Sequence, residues 1–102
     1  MLASKPIQAT GTATIIPAVA GRPIYVRRMI LSADTNAATI QFQDTNGNNL
    51  TGQMTLAQGF PVVWSAATDS QMQDGILELT FGLGLKIVVS AGNVGGQIQY
   101  IQ

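Results

Sequence analysis

Residues 38–47 read ATIQFQDTNG, and this stretch indicates the fold class of the whole chain. Apolar and polar side chains alternate along it, as expected of a strand with one face buried: Ala38, Ile40 and Phe42 in one phase, Thr39, Gln41 and Gln43 in the other. The dipeptide Asn46-Gly47 follows, and it favours a type I′ hairpin turn, whose two central residues both need positive φ. We therefore expect a strand, a tight turn and a returning strand around residues 50–55.

The rest of the chain repeats this pattern of short strands separated by turn residues. No segment has a helical apolar period with caps, and we expect further strands at residues 9–16, 24–33, 60–64, 76–81, 85–89 and 96–101. The alternation slips in the second of these predicted segments, which indicates a bulge near Arg27-Arg28. Pro61 places its strand at a sheet edge or makes it a strand start. The prediction is an all-β fold: a single β-sandwich or jelly-roll-like domain over residues 9–102, with about eight short antiparallel strands, preceded by an extended N-terminal arm over residues 1–8.

Composition narrows the class of function. The 102 residues include five Lys and Arg, five Asp and Glu, and neither cysteine nor histidine. Disulfides and thiolate metal sites are therefore excluded. The net charge of zero weighs against a nucleic-acid-binding surface, which needs an excess of Lys and Arg. No apolar run approaches the roughly 20 residues of a membrane span, and the first residues do not form a signal peptide. We expect no nucleic acid, membrane, cofactor or metal partner, and a domain that works by packing against other protein.

The residues available for catalysis are few. Without histidine and cysteine the usual base and the best nucleophile are missing, and five carboxylates remain. Asp69 and Asp74 lie in the longest irregular stretch, where they either approach as a pair for a small hydrolase or simply solvate a loop. We expect no enzyme. Residues 44–55 resemble a calcium loop at first, but Asn49 and Thr55 stand where that loop needs glycine and glutamate, so we expect a hairpin turn and leave a weak cation site on Asp44 open.

Three groups of residues are candidates for partner contact. The N-terminal arm has apolar side chains and a proline that keeps it out of a central strand. It either contacts a neighbouring molecule or frays in solution. The arginine pair beside the predicted bulge either meets a partner carboxylate or is solvated. The aromatic and methionine residues near the long loop form either a contact surface or part of the core. The predicted contact residues are Leu2, Lys5, Pro6, Ile7, Arg27, Arg28, Phe60, Trp64 and Met72.

Four stretches of the chain carry a resemblance to a known family: ATGTATII (9–16), GRPIYVRRMILSAD (21–34), ATIQFQDTNGNNLTGQMTL (38–56) and LKIVVSAGNVGGQIQYI (85–101). The chain resembles the small β-sandwich proteins encoded in the virion gene clusters of tailed bacteriophages and prophages. Residues 64–75 depart from that pattern.

The resemblance implies a structural protein of the virion. Within that family we expect a capsid decoration (cement) protein, a homotrimer on the capsid surface with the major capsid protein as its partner. The alternative is a tail, baseplate or fibre module that binds host-surface glycan, with Trp64 stacking on a sugar ring.

Overall fold

The computed structural model describes residues 2–34, 36–65, 77–79 and 82–102, and in these ranges the chain is all-β, with no helix. The all-β prediction is confirmed. The nine strands are β1 Leu2–Ala9, β2 Thr12–Ile16, β3 Ile24–Ala33, β4 Ala38–Asp44, β5 Met54–Leu56, β6 Val62–Ser65, β7 Leu77–Leu79, β8 Leu85–Ala91 and β9 Val94–Ile101.

The strands form two antiparallel sheets, an arrangement compatible with a β-sandwich. The larger sheet has the order β1-β9-β3-β6, and β7 pairs with the other half of β3, end to end with β6. The smaller sheet has the order β2-β8-β4-β5. As its proline predicts, β6 starts just after Pro61 and lies at a sheet edge.

One apolar core is built from the inward phase of both sheets. In β4, alternation places Ala38, Ile40 and Phe42 at zero exposure, while Gln41 and Gln43 point to the other face. Phe42 is the largest of the fully buried side chains and belongs to the same apolar cluster as the buried residues of the larger sheet.

A bulge interrupts β3 where the sequence predicts one. The register of β3 against β9 shifts between Val26 and Arg28, so Arg27 is the extra residue. Val26 and Met29 are consequently both buried, although three positions separate them, and Arg28 is turned to the outer face.

The hairpin after β4 differs from the predicted type I′ turn. Gly47 has φ +89°, but no described residue other than glycine has positive φ, so Asn46 does not adopt the type I′ conformation. Instead the N–H of Gly47 donates to the carbonyl of Asp44 (3.0 Å), and the backbone N–H of Asp44 donates to the carbonyl of Asn48 (3.0 Å). This is the three-residue hairpin loop, in which a turn is followed by one left-handed glycine.

The returning strand is also shorter than predicted, because the chain departs from β4 after a few residues. The N–H of Phe42 donates to the Thr51 hydroxyl (3.1 Å), and the Gln41 side-chain amide donates to the Thr51 carbonyl (2.9 Å). These bonds hold residues 50–53 outside the regular ladder, and β5 rejoins it only at Met54, opposite Ile40.

The N-terminal segment is a strand, where the sequence predicts an arm. β1 pairs with β9 over eight consecutive positions, from Leu2 opposite Ile101 to Ala9 opposite Val94. Ile7 and Ala9 are 4% exposed and belong to the core. The expectation that Pro6 keeps this segment out of a central strand agrees with the structure, but the expectation of an unpaired arm is wrong. Pro6 lies in an edge strand, where a missing N–H is tolerated. Gly11, with φ +130°, then carries the chain over to β2 in the other sheet.

Candidate interaction surface

On the outer face of the larger sheet, the strand register places side chains of neighbouring strands side by side in rows. Opposite pairing aligns Val63, Ile30 and Gln97 in one row across β6, β3 and β9. The next row aligns Ser65, Arg28 and Gln99. We call the five largest of these side chains the outer patch: Arg28, Ile30, Val63, Gln97 and Gln99.

The outer patch is a shallow, chemically mixed surface. A depression of about 220 Å³ is lined by Arg28, Ile30, Gln97 and Gln99. Val63 is 49% exposed beside it. The patch therefore offers two adjacent aliphatic side chains, one guanidinium and two amides, a composition that allows both apolar contact and hydrogen bonding with a partner.

A second exposed feature lies in the connection between β5 and β6. Phe60 is 70% exposed, the most exposed of the large apolar side chains that the structure describes. Its loop is tied down, since the N–H of Gly59 donates to the carbonyl of Ala33 (3.2 Å) and the N–H of Phe60 donates to that of Ala57 (3.4 Å). The Phe60 ring is thus exposed to solvent on a loop whose backbone is fixed by these two hydrogen bonds.

The predicted contact residues of the N-terminal segment are not brought together as one surface. The backbone of Leu2 pairs at the end of β1, and Pro6 is exposed on the outer face, in the row of Gln97. Lys5 is half-buried in the same phase as Ile7, whose side chain lies in the core and is not accessible to a partner.

The remaining predictions divide between surface and interior. Arg28 and Phe60 are exposed, and Arg27 is half-buried in the bulge. Trp64 is half-buried, opposite Met29, on the inward face of β6. It packs against the core, as the alternative interpretation of this residue has it. Met72 lies outside the described residues.

Sequence reasoning missed four members of the outer patch: Ile30, Val63, Gln97 and Gln99. The alternation of β3 after its bulge could have assigned Ile30 to the phase of Arg28. The other three depend on which strands are neighbours, and no local signal in the sequence carries that information.

Asp44, the one candidate cation ligand, is committed to the hairpin. Its Oδ1 accepts from the N–H groups of Asn46 (2.9 Å) and Asn48 (3.0 Å), and its Oδ2 accepts from the Asn48 side-chain amide (3.1 Å). Burial opposes ionisation of this carboxyl, but the hydrogen bonds, chiefly those from Asn48, outweigh it and lower the pKa of Asp44 below its ordinary 3.8. Nowhere in the described part of the chain do three acidic side chains gather to hold a metal ion.

The lowered pKa of Asp44 predicts a specific acid sensitivity. A carboxyl whose pKa is lower in the folded state than in the unfolded chain contributes its full stabilisation at pH values above the unfolded pKa. This contribution is lost as the pH falls through the folded pKa. We expect Asp44→Asn to be less stable than the wild type at neutral pH and to lose less stability on acidification below 3.8. Urea unfolding midpoints at neutral and acidic pH measure both effects. Asp34→Asn, at an exposed turn position, is the control, and an equal acid response in both variants would contradict the assignment.

Comparison with known proteins adds no identification. No family model, no curated protein and no solved structure matches this chain. In the ranges that the structure describes there is also no helix of the length and apolarity needed to cross a membrane. What the structure establishes is the fold class, an all-β domain of two antiparallel sheets, in a chain with only ten charged residues among 102.

Proposed function

We propose that this domain is a structural protein of a tailed-phage particle, a decoration protein that docks on the assembled capsid as a homotrimer and ties major capsid subunits together. The observation that carries the proposal is the outer patch, an apolar pair of side chains next to two amides and one guanidinium on the outer face of the larger sheet. A sheet face of this kind presents its side chains from a rigid frame, so little conformational entropy is lost on docking.

The chemistry of the surface supports attachment to protein in crowded copies. The chain carries no net charge, so neighbouring copies repel one another little. Gln97 and Gln99 can hydrogen-bond across an interface without the desolvation cost of a buried charge. Arg28 adds a donor that pairs in bidentate fashion with a carboxylate of the partner.

A cement protein stabilises a shell by mass action. It binds the assembled state and not the separated subunits, so each bound copy adds its binding free energy to assembly. Repetition over a symmetric lattice multiplies modest contacts. Phe60 supports this role as an aromatic anchor, because aromatic side chains, phenylalanine among them, are enriched in protein interfaces relative to the rest of the surface.

The glycan-binding alternative is less well supported by the geometry. It requires Trp64 as an open stacking platform, whereas Trp64 faces Met29 and is half-buried against the core. Asp69 and Asp74, which would hydrogen-bond the sugar hydroxyls, lie outside the described residues. We therefore propose protein docking in preference to glycan binding.

The test is occupancy on particles. Particles produced without this protein are incubated with the purified chain, and bound copies are counted by gel densitometry and imaged by electron microscopy. We expect Val63→Asp, which puts a charge beside Ile30 in the apolar part of the outer patch, to weaken binding at least about tenfold, equivalent to about 1.4 kcal/mol. Heat stability of the decorated particles should fall in parallel.

A matched control separates docking from folding. Thr55→Asp places the same charge on an exposed position of β5, an edge strand of the other sheet, and should leave occupancy unchanged. Equal circular dichroism melting of the two variants shows that both fold. Absence of the wild-type chain from particles, or equal occupancy for Val63→Asp and Thr55→Asp, would overturn the proposed role of the patch.

A further inference from the structure

An apolar cavity lies between the two sheets, distinct from the outer patch. It has a volume of about 110 Å³ and is lined by Met29, Phe42, Thr51, Met54, Trp64 and Leu77. Phe42 and Met29, both buried, form its inner wall, one from each sheet. Its other apolar walls are half-buried side chains of β5, β6 and β7, so it lies where the edge strands of the two sheets face each other.

The one hydroxyl in the lining is already in use. The oxygen of Thr51 accepts from the N–H of Phe42 (3.1 Å), and its proton is donated to the carbonyl of Gly52 (2.9 Å). Its only donor is therefore committed, and none of the six described residues that line the cavity is acidic or basic. A guest that needs to accept a hydrogen bond from Thr51 finds no proton there and would lose its own hydration on entry.

The walls also suit an apolar guest in shape and compliance. Two of the six lining residues are methionines, whose unbranched, polarisable side chains adapt to irregular guests and contact aromatic rings favourably. Water in an apolar pocket finds few hydrogen-bond partners, so an apolar guest that displaces it gains dispersion contacts with the walls. An engineered apolar cavity of about 150 Å³ in another protein binds benzene or xenon, so the present cavity, which is smaller and partly open, is of a comparable scale.

From these observations we propose that the cavity is a binding site for small apolar molecules without hydrogen-bonding groups, such as a compact hydrocarbon or an unsubstituted aromatic ring. The site is independent of the outer patch, which lies on the opposite face of β3 and β6. Val63 and Trp64 are neighbours in β6 and point to the two different faces. The proposal therefore stands or falls separately from the proposed function.

The native protein provides its own reporter, because Trp64 is the only tryptophan in the chain and lines the cavity. Benzene is titrated into the folded protein while Trp64 fluorescence and the melting temperature are recorded. We expect a saturable change in fluorescence and a rise in Tm on the order of 5 °C at tenfold excess over Kd. Pyridine, nearly identical in size but hydrated through its nitrogen, should bind at least about tenfold more weakly.

Two variants that fill the cavity test its location. Met54→Phe and Leu77→Phe each enlarge a lining side chain and should abolish the response to benzene. Val63→Leu enlarges a side chain of the same strand on the outer face and should preserve it. Two filling variants are used, so that if one of them fails to fold the other still tests the location. The comparison of benzene with pyridine in the wild-type protein does not depend on either variant.

Saturable benzene binding that exceeds pyridine binding and disappears in the filling variants supports the site. A linear, non-saturating response, equal responses to benzene and pyridine, or undiminished benzene binding in folded Met54→Phe or Leu77→Phe overturns it.

Discussion

Gly96→Ala is expected to destabilise the domain by about 3 kcal/mol or more, among the largest effects of any single methyl group added to this chain. A Cβ built on Gly96 overlaps the carbonyl oxygen of Ile30, and it also comes within 3.1 Å of the Leu31 Cα. These are backbone atoms of β3, so no side chain can rotate away. The strands would have to separate, which breaks the ladder between β9 and β3.

The position of Gly96 explains why the cost is high. β9 runs between β1 and β3, and Gly96 lies opposite Ile7 on one side and Leu31 on the other, both buried. Any displacement of β9 is therefore transmitted to two core side chains in a close-packed interior. For a domain of this size, a loss of about 3 kcal/mol lowers the Tm by roughly 12–24 °C.

Gly95 supplies a matched control one residue away. A Cβ on Gly95 meets only the Gln8 side-chain oxygen at 3.7 Å and the Ile7 carbonyl oxygen at 3.8 Å, which are ordinary contacts. Gly95→Ala should change stability by less than about 1 kcal/mol, helped by the lower entropy of the unfolded chain. Thermal and urea unfolding of both variants measure the difference, and similar stabilities would show that β9 does not approach β3 in this way.

Removal of residues 1–8 is the second change with a large expected effect. If these residues were an arm outside the sandwich, the remaining domain would keep its stability. Because they form most of β1, the deletion removes a strand from the sheet and the buried Ile7 from the core. We expect a loss of about 3 kcal/mol or more, the range in which deletion of a buried isoleucine side chain alone falls.

The deletion also changes which strand lies at the edge. β9 would lose one of its two partner strands, and its N–H and C=O groups on that side would become available to other chains. We therefore expect the truncated protein to melt earlier and to aggregate on heating, as measured by circular dichroism and light scattering.

Two point variants separate the core from the surface contribution of β1. Ile7→Ala should reproduce much of the loss, by about 2–5 kcal/mol, whereas Gln8→Ala, exposed on the outer face, should be nearly neutral. A truncated chain as stable as the full one would show that β1 is dispensable and would restore the arm interpretation. Because deletion disturbs the fold, loss of capsid binding by a truncated chain is not evidence for a contact made by residues 1–8, and the outer-patch variants are the proper test.

The candidate surface was predictable only in part. Arg28 and Phe60 stood out as an arginine beside a bulge and as an aromatic residue near turn residues, and both are exposed. Trp64 and Ile7 have the same apolar character as surface anchors, yet they pack inward. Composition cannot separate the two cases, because an apolar residue serves equally well in a core and at an interface. What separates them is the phase of the strand and the presence of a sheet on that side.

The hairpin after β4 shows how local chemistry gives the place of a turn but not its type. Asn46-Gly47 marks the reversal correctly, since Gly47 takes the positive φ. The turn type was decided by Asp44, whose carboxylate accepts both nearby N–H groups and holds Asn46 out of the left-handed region. The length of β5 was decided by Thr51, which ties its segment to Phe42.

The amino-acid sequence alone determined the all-β class, the strand alternation of β4, the bulge at Arg27 and the edge position of the strand that follows Pro61. Each of these follows from interactions within a few residues: side-chain period, turn preference and the missing N–H of proline. Only the tertiary structure decided that residues 2–9 pair with β9, that Val63, Ile30 and Gln97 share a row, and that Trp64 borders a cavity. Those features join segments that are distant in the chain, and their partners are selected by the burial of a common core, a quantity that no short stretch of sequence contains.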